Sequence, residues 1–245
     1  MLVVAACGGG SPSVADPSST VSTATASASP SPVEIRGCVP QCWAGFADPG
    51  VIGPGPYSTI GFLDGQLTVT YPDQWESHED QGVEFSSAPL GELDVHRVLF
   101  WNDILPWIAD ARHPKGRRVP GVPITTSGWL DWLQSNAALV VSAPRPATIG
   151  QMHLPAIYVH IAAAPDAVGY DEGAIALLSW PNAQGNSYSF GGPFVLRLYL
   201  SDVTYGGRTH LLAVAIEGED SADLKAFIPE ARQMIATAQA PIEAA

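Results

Sequence analysis

From residue 57 onward, short alternating runs of apolar and polar residues are broken by turn signals. Residues 67–71 alternate β-prone side chains and stop at Pro72-Asp73. That predicts a strand, a turn, and at Trp75 an aromatic that packs back on the strand. Residues 83–86, 95–101, 139–141 and 174–180 read as further strands. Two pairs read as hairpins: 147–149 with 154–161, and 194–200 with 209–216 across Tyr205-Gly206-Gly207-Arg208. A helical period is found in fewer places. Residues 126–135 put Trp129, Trp132 and Leu133 on one face behind a hydroxyl suited to capping. Residues 104–111 form a candidate short helix with Pro106 in its first turn. The last period is the strongest: Leu224, Phe227, Ile228, Ala231, Met234, Ile235 and Ala238 share one face of an amphipathic helix. Pro229 predicts a kink or break near Phe227. Hairpins with a mid-chain and a final helix predict an α+β domain over residues 57–240, an antiparallel sheet covered by helices.

The first 56 residues follow another pattern. Residues 8–35 are nearly all Gly, Ser, Ala, Thr, Pro and Val, with no recurring large apolar side chain. Such a segment has no core to offset ordering entropy and is expected to be a disordered tether. Ahead of it, Val4-Ala5-Ala6-Cys7 has the form of a lipobox: an aliphatic residue, two small residues, and the cysteine that receives diacylglycerol. Residues 1–7 are then the remnant of a lipoprotein signal. An export signal also needs a basic segment and an apolar stretch of about 7–15 residues, so this reading requires residues upstream of Met1. Lipidated Cys7 would hold the protein to the outer face of the cell membrane.

Residues 36–56 hold Cys38 and Cys42 in Cys-Val-Pro-Gln-Cys. A structural disulfide, a redox pair and a metal site compete. The spacing is wider than the Cys-x-x-Cys of redox proteins, and no second ligand pair follows at metal spacing. A Cys38–Cys42 disulfide of local effect is the expectation. Residues 48–56, rich in Gly and Pro, are expected to be a loop leading into the domain.

Charge narrows the partners. The chain has 245 residues, 24 acidic and 11 basic, for a net charge of −13. That balance repels phosphate backbones and argues against nucleic acid. The basic run at residues 112–118 reads as a solvated loop. No Gly-x-Ser-x-Gly, nucleotide loop or zinc-protease motif is present, so no catalytic residue, metal site or cofactor is assigned. The polar cluster at residues 75–80 reads as a solvated turn between strands, with a metal or acid/base site as the alternative. His153 and His160, seven apart on one strand, would face opposite ways, and His96 and His210 read as structural. Trp101 and Trp107 flank Asp103 and Pro106. They suit core packing, or an exposed aromatic groove for lipid or glycan.

The run Leu67-Thr-Val-Thr-Tyr-Pro-Asp-Gln-Trp75 resembles the opening of a family of uncharacterised secreted lipoproteins from high-GC Gram-positive bacteria. Trp129-Leu-Asp-Trp-Leu133, Leu139-Val-Val141 and Pro146-Ala-Thr-Ile-Gly150 resemble its centre, though Gln151 stands where that family has a second glycine. The resemblance covers residues 57–240, implies no catalytic residues, and suggests by fold analogy a PsbP-type domain. The reading is an extracytoplasmic, membrane-tethered domain that binds a protein or an apolar envelope ligand. An envelope hydrolase and a purely structural lipoprotein are the alternatives.

Overall fold

The computed structural model describes residues 35–36, 50–52, 54–59, 61–80, 83–110, 113–165, 167, 174–180, 187–191 and 194–245. The chain divides into two units, 1–31 and 32–245, and every described residue belongs to the second. Cys7, Cys38, Cys42 and the expected tether up to residue 34 lie outside the described residues.

The elements run β1 (Ile35–Arg36), β2 (Gly50–Ile52), β3 (Gly55–Ser58), β4 (Thr68–Tyr71), β5 (Trp75–Asp80), β6 (Glu84–Pro89), β7 (Arg97–Asn102), β8 (Leu105–Asp110) and β9 (His113–Arg118). Then come α1 (Thr126–Ser135), β10 (Leu139–Val141), β11 (Arg145–Ile149), β12 (Leu154–Ala163), β13 (Ala174–Ser179) and β14 (Ser187–Gly191). The chain closes with β15 (Val195–Tyr205), β16 (Arg208–Gly218), α2 (Ser221–Ala236) and β17 (Glu243–Ala244). A ten-stranded sheet has the path β10-β12-β15-β16-β7-β6-β5-β2, with β11 also on β12 and β17 on β15. Two smaller sheets accompany it, β1-β3-β4 and β14-β13-β8-β9.

The large sheet is apolar on both faces, and that organises the domain. On one face Val98, Phe100, Val214 and Ile216 meet Leu224, Phe227, Met234 and Ile235 of α2, with Tyr57 and Val69 of the three-stranded sheet. On the other, Leu99, Trp101, Ala213 and Leu198 meet Trp129 and Leu133 of α1, with Leu177 and Leu178 of the four-stranded sheet. Consecutive residues of one strand thus enter different cores, as the period of two requires.

The expected fold class is overturned. Strands predominate, there are several sheets, and the described residues hold two α-helices, so this is not a sheet simply covered by helices. The largest change is at residues 104–111. The expected helix is strand β8, whose Leu105 and Pro106 pair with Ser179 and Leu178 of β13. Burial of Ile104, Leu105 and Pro106 between sheets decides the outcome over the weak helical period. Residues 48–56 are likewise not all loop, since β2 and β3 lie there. Pro56 is accommodated because β1 reaches only Tyr57 and Ser58, leaving Pro56 paired on the β4 side alone. Residues 75–80 form β5, with Trp75, Glu76 and Ser77 buried, and not a solvated turn.

Other expectations stand as geometry. Trp75 is fully buried, stacked on Phe227 at 6.2 Å, and its indole donates to Glu230 Oε1 at 3.1 Å. The N-cap of α1 is Thr125, whose hydroxyl accepts from Gly128 N at 3.1 Å. The β15–β16 hairpin turns through Gly206 (φ 56°) and Gly207 (φ 74°), the double left-handed turn that matches strand twist. The break expected near Phe227 is not found: α2 is one continuous helix from Ser221 to Ala236 with Pro229 inside it.

Candidate functional site

Helix α2 packs over β4, β15 and β16. Beside it, a groove runs between the helix and the same face of β10, β11 and β12. Register sets its floor. On β12 and β15, His160 lies opposite Arg197, Tyr158 opposite Tyr199, and Ala162 opposite Val195. Arg145 of β11 faces Tyr158, and Val140 of β10 faces Ala162. Leu224, Lys225, Ile228 and Arg232 of α2 form the wall.

The groove has two adjoining segments that share Arg197 and Ile228. The larger, about 1010 Å³, lies between Thr148, Gln151, His153, Tyr158 and Tyr199 on the strands and Arg232 and Gln233 on the helix. The smaller, about 480 Å³, has the aliphatic side chains of Val140, Ala162, Val195 and Leu224 at one end; those of Val141 and Ile161 pack into the core on the other face of the sheet. Such volumes suit a small-molecule ligand. Val140 is 54% exposed, a large apolar side chain left open to solvent at the aliphatic end.

Arg197 is held at the junction. Its Nε donates to His160 Nε2 at 2.8 Å, and its guanidinium lies 4.8 Å from the centre of the Tyr158 ring. An acceptor nitrogen must carry a lone pair, so His160 is neutral. Burial lowers the His160 pKa first, and the charges of Arg197 and Arg145 lower it further. The two segments are lined by Arg197, Lys225, Arg232, His153 and His160 and by no carboxylate.

A second pocket, about 320 Å³, is lined by Leu63, Asp64, Asn102, Tyr205, Arg208 and His210. Asp103 Oδ2 is 2.7 Å from His210 Nδ1, an acid–imidazole pair. Tyr205 donates to Asp64 Oδ2 at 2.9 Å, and its pKa is raised, by desolvation first and then by Asp64. The phenol is therefore held protonated, and the lining contains no serine, threonine or cysteine to act as nucleophile.

Trp101 has no exposed surface and packs edge-on against Tyr188 at 4.9 Å, so it presents nothing to a ligand. Trp107 is half-buried on β8, in another sheet. His153 sits in the turn before β12 and not on the strand, and it lines the large segment. His96 is bound by Glu92 at 2.6 Å and Asp223 at 2.8 Å, a structural clamp at the start of α2. No group of three metal-binding side chains occurs among the described residues. No described helix is long and apolar enough to cross a membrane.

Sequence reasoning did not find the groove. The available signal was Arg197, the one charge in Val-Leu-Arg-Leu-Tyr-Leu at positions 195–200. A charge placed within an apolar alternation needs a partner or a function. The site is thus an open, basic and partly aliphatic cleft on a β-rich domain. No protein-family model and no curated protein sequence matches the chain.

Proposed function

We propose that this protein is a membrane-tethered extracytoplasmic lipoprotein whose β-rich domain binds an apolar envelope ligand in the groove beside α2. The anchor is Cys7, as its Val-Ala-Ala-Cys context and the following Ser/Ala/Thr/Pro stretch suggest. One observation carries the binding reading: an open groove with an aliphatic end and a few convergent polar groups, the usual composition of a small-molecule site. A hydrolase reading gains nothing from the Asp103–His210 pair, whose pocket lacks a nucleophile.

The test is native mass spectrometry of the full-length protein extracted from membranes, with and without denaturation. The expected result is a diacylglyceryl adduct at Cys7 and a separate, non-covalent lipid released on denaturation. A protein that carries no such lipid and binds no alkyl probe in calorimetry refutes the binding reading. An unmodified Cys7 refutes the anchor independently.

A further inference from the structure

We infer that the groove selects single-chain amphiphiles with an anionic oxyacid head, a carboxylate or a phosphate monoester. This rests on the binding reading above and adds the chemistry of the head.

Charge is the first observation. The protein carries 24 acidic and 11 basic residues, yet the groove lining holds Arg197, Lys225 and Arg232 and no carboxylate. Arg145 adds to that field, facing Tyr158 from the neighbouring strand. The second is the state of Arg197. Elsewhere in the domain Arg97 is paired with Glu217 at 2.5 Å. Arg197 instead has a neutral imidazole on its Nε and an aromatic face beneath it. Both fix the guanidinium plane and neither neutralises its charge, so the terminal N–H pairs are set for a forked contact with an oxyacid.

The third observation is the layout. Val140, Ala162, Val195 and Leu224 form one end, and Gln151, His153, Arg232 and Gln233 form the other. Arg197 and Ile228 belong to both. An alkyl chain on the aliphatic end brings its head to Arg197, with Arg232 across the groove on α2. A neutral head leaves these cations unpaired, and a cationic head is repelled by them.

The experiment is isothermal calorimetry of the full chain with dodecanoate, dodecyl phosphate, dodecanol, dodecylamine and inorganic phosphate, at submicellar concentrations. It is repeated with Arg197→Gln and Arg232→Gln, the latter on an exposed helix position that leaves folding intact. Thermal melts check that Arg197→Gln remains folded. The expected result is that one or both anionic amphiphiles bind at least about tenfold more tightly than dodecanol, the ratio a charge-assisted hydrogen bond supplies. The amine and free phosphate bind more weakly still. Arg197→Gln should reduce the preference for the anion about tenfold or more, and Arg232→Gln should reduce it by less. Dodecanoate against dodecyl phosphate identifies the head. Equal binding of dodecanol and the anions, or a preference that survives both substitutions, overturns the inference while leaving an apolar binding site. Free phosphate as tight as the alkyl anions overturns the amphiphile. Failure of every alkyl probe overturns the inference together with the reading beneath it.

Discussion

Replacing Glu84 by Gln should stabilise the protein at neutral and higher pH. Glu84 opens β6 opposite Trp101, on the face enclosed by the four-stranded sheet. Its carboxyl pKa is raised from 4.5 to about 7, by burial first and by repulsion from Glu79 second; Arg97 and the Trp101 side chain offset part of this. The sign follows from proton linkage. Below 4.5 the carboxyl is neutral in both states and costs nothing. Between 4.5 and about 7 the unfolded chain ionises while the native state keeps its proton, so stability falls as pH rises. Above about 7 both forms are ionised and the loss levels off. The interval from 4.5 to 7, at roughly 1.4 kcal/mol per unit, gives about 3 kcal/mol. Glutamine keeps the shape and loses the ionisation. Urea denaturation followed by tryptophan fluorescence should therefore show near-equal stabilities at about pH 4 and a Glu84→Gln advantage approaching ~3 kcal/mol at about pH 8. Ordinary carboxylates titrate with the opposite slope, so the difference between the two proteins isolates Glu84. Parallel pH profiles, or a variant less stable than the parent at about pH 8, would refute the reasoning.

Two further outcomes follow from the same geometry. Trp129 is fully buried, its indole donates to the Ile104 carbonyl at 3.2 Å, and it packs edge-on against Trp132 at 5.1 Å. Trp129→Ala opens a cavity and strands that carbonyl, so urea denaturation should record a loss of about 3–5 kcal/mol. His160 titrates below the ordinary histidine range because of burial, Arg197 and Arg145. Its NMR pH titration should shift upward in Arg197→Gln, and upward again in the parent protein when an anion occupies the groove. A midpoint indifferent to both removes His160 from the electrostatics of the site.

Legibility of the fold depended on whether local pattern and tertiary burial agreed. The period of two announced β12, β15 and β16, and the period of 3.6 announced α2, whose buried Leu224, Phe227, Ala231, Met234 and Ile235 are the residues of the periodic face. They disagreed at residues 104–111. There, four apolar side chains in five positions serve a buried strand as well as a helix, and pairing with β13 on one side and β9 on the other decides. At position 229 the expected break does not occur, for a related reason. Pro229 removes one backbone donor, but it lies on the exposed side of α2, and the buried contacts on either side of it hold the helix together. At residue 150 a glycine was legible and its reason was not. Its φ is +63°, and a Cβ there would meet the carbonyl of Ala238 at 2.4 Å, a neighbour 88 residues away.

The groove was hidden because its parts are dispersed: Arg145 and Tyr158 on adjacent strands, Arg197 one strand further, and Arg232 on the final helix. None forms a motif. The tryptophans drew attention by rarity, yet a side chain as large as Trp101 is what two stacked sheets bury first. The better indicator was charge in the wrong place. With acid outnumbering base 24 to 11, a basic residue has ample carboxylates to pair with, as Arg97 pairs with Glu217. Arg197 sits in an apolar strand beside a neutral histidine, in a groove lined by no carboxylate. The imidazole and the Tyr158 ring orient that charge without neutralising it. Such an arrangement is expected where the compensating negative charge arrives with a ligand. It follows that Arg197→Leu, which removes the charge and keeps an apolar side chain in the strand, should cost the free protein little stability and should reduce its selectivity for anions about tenfold, leaving the smaller contribution of Arg232.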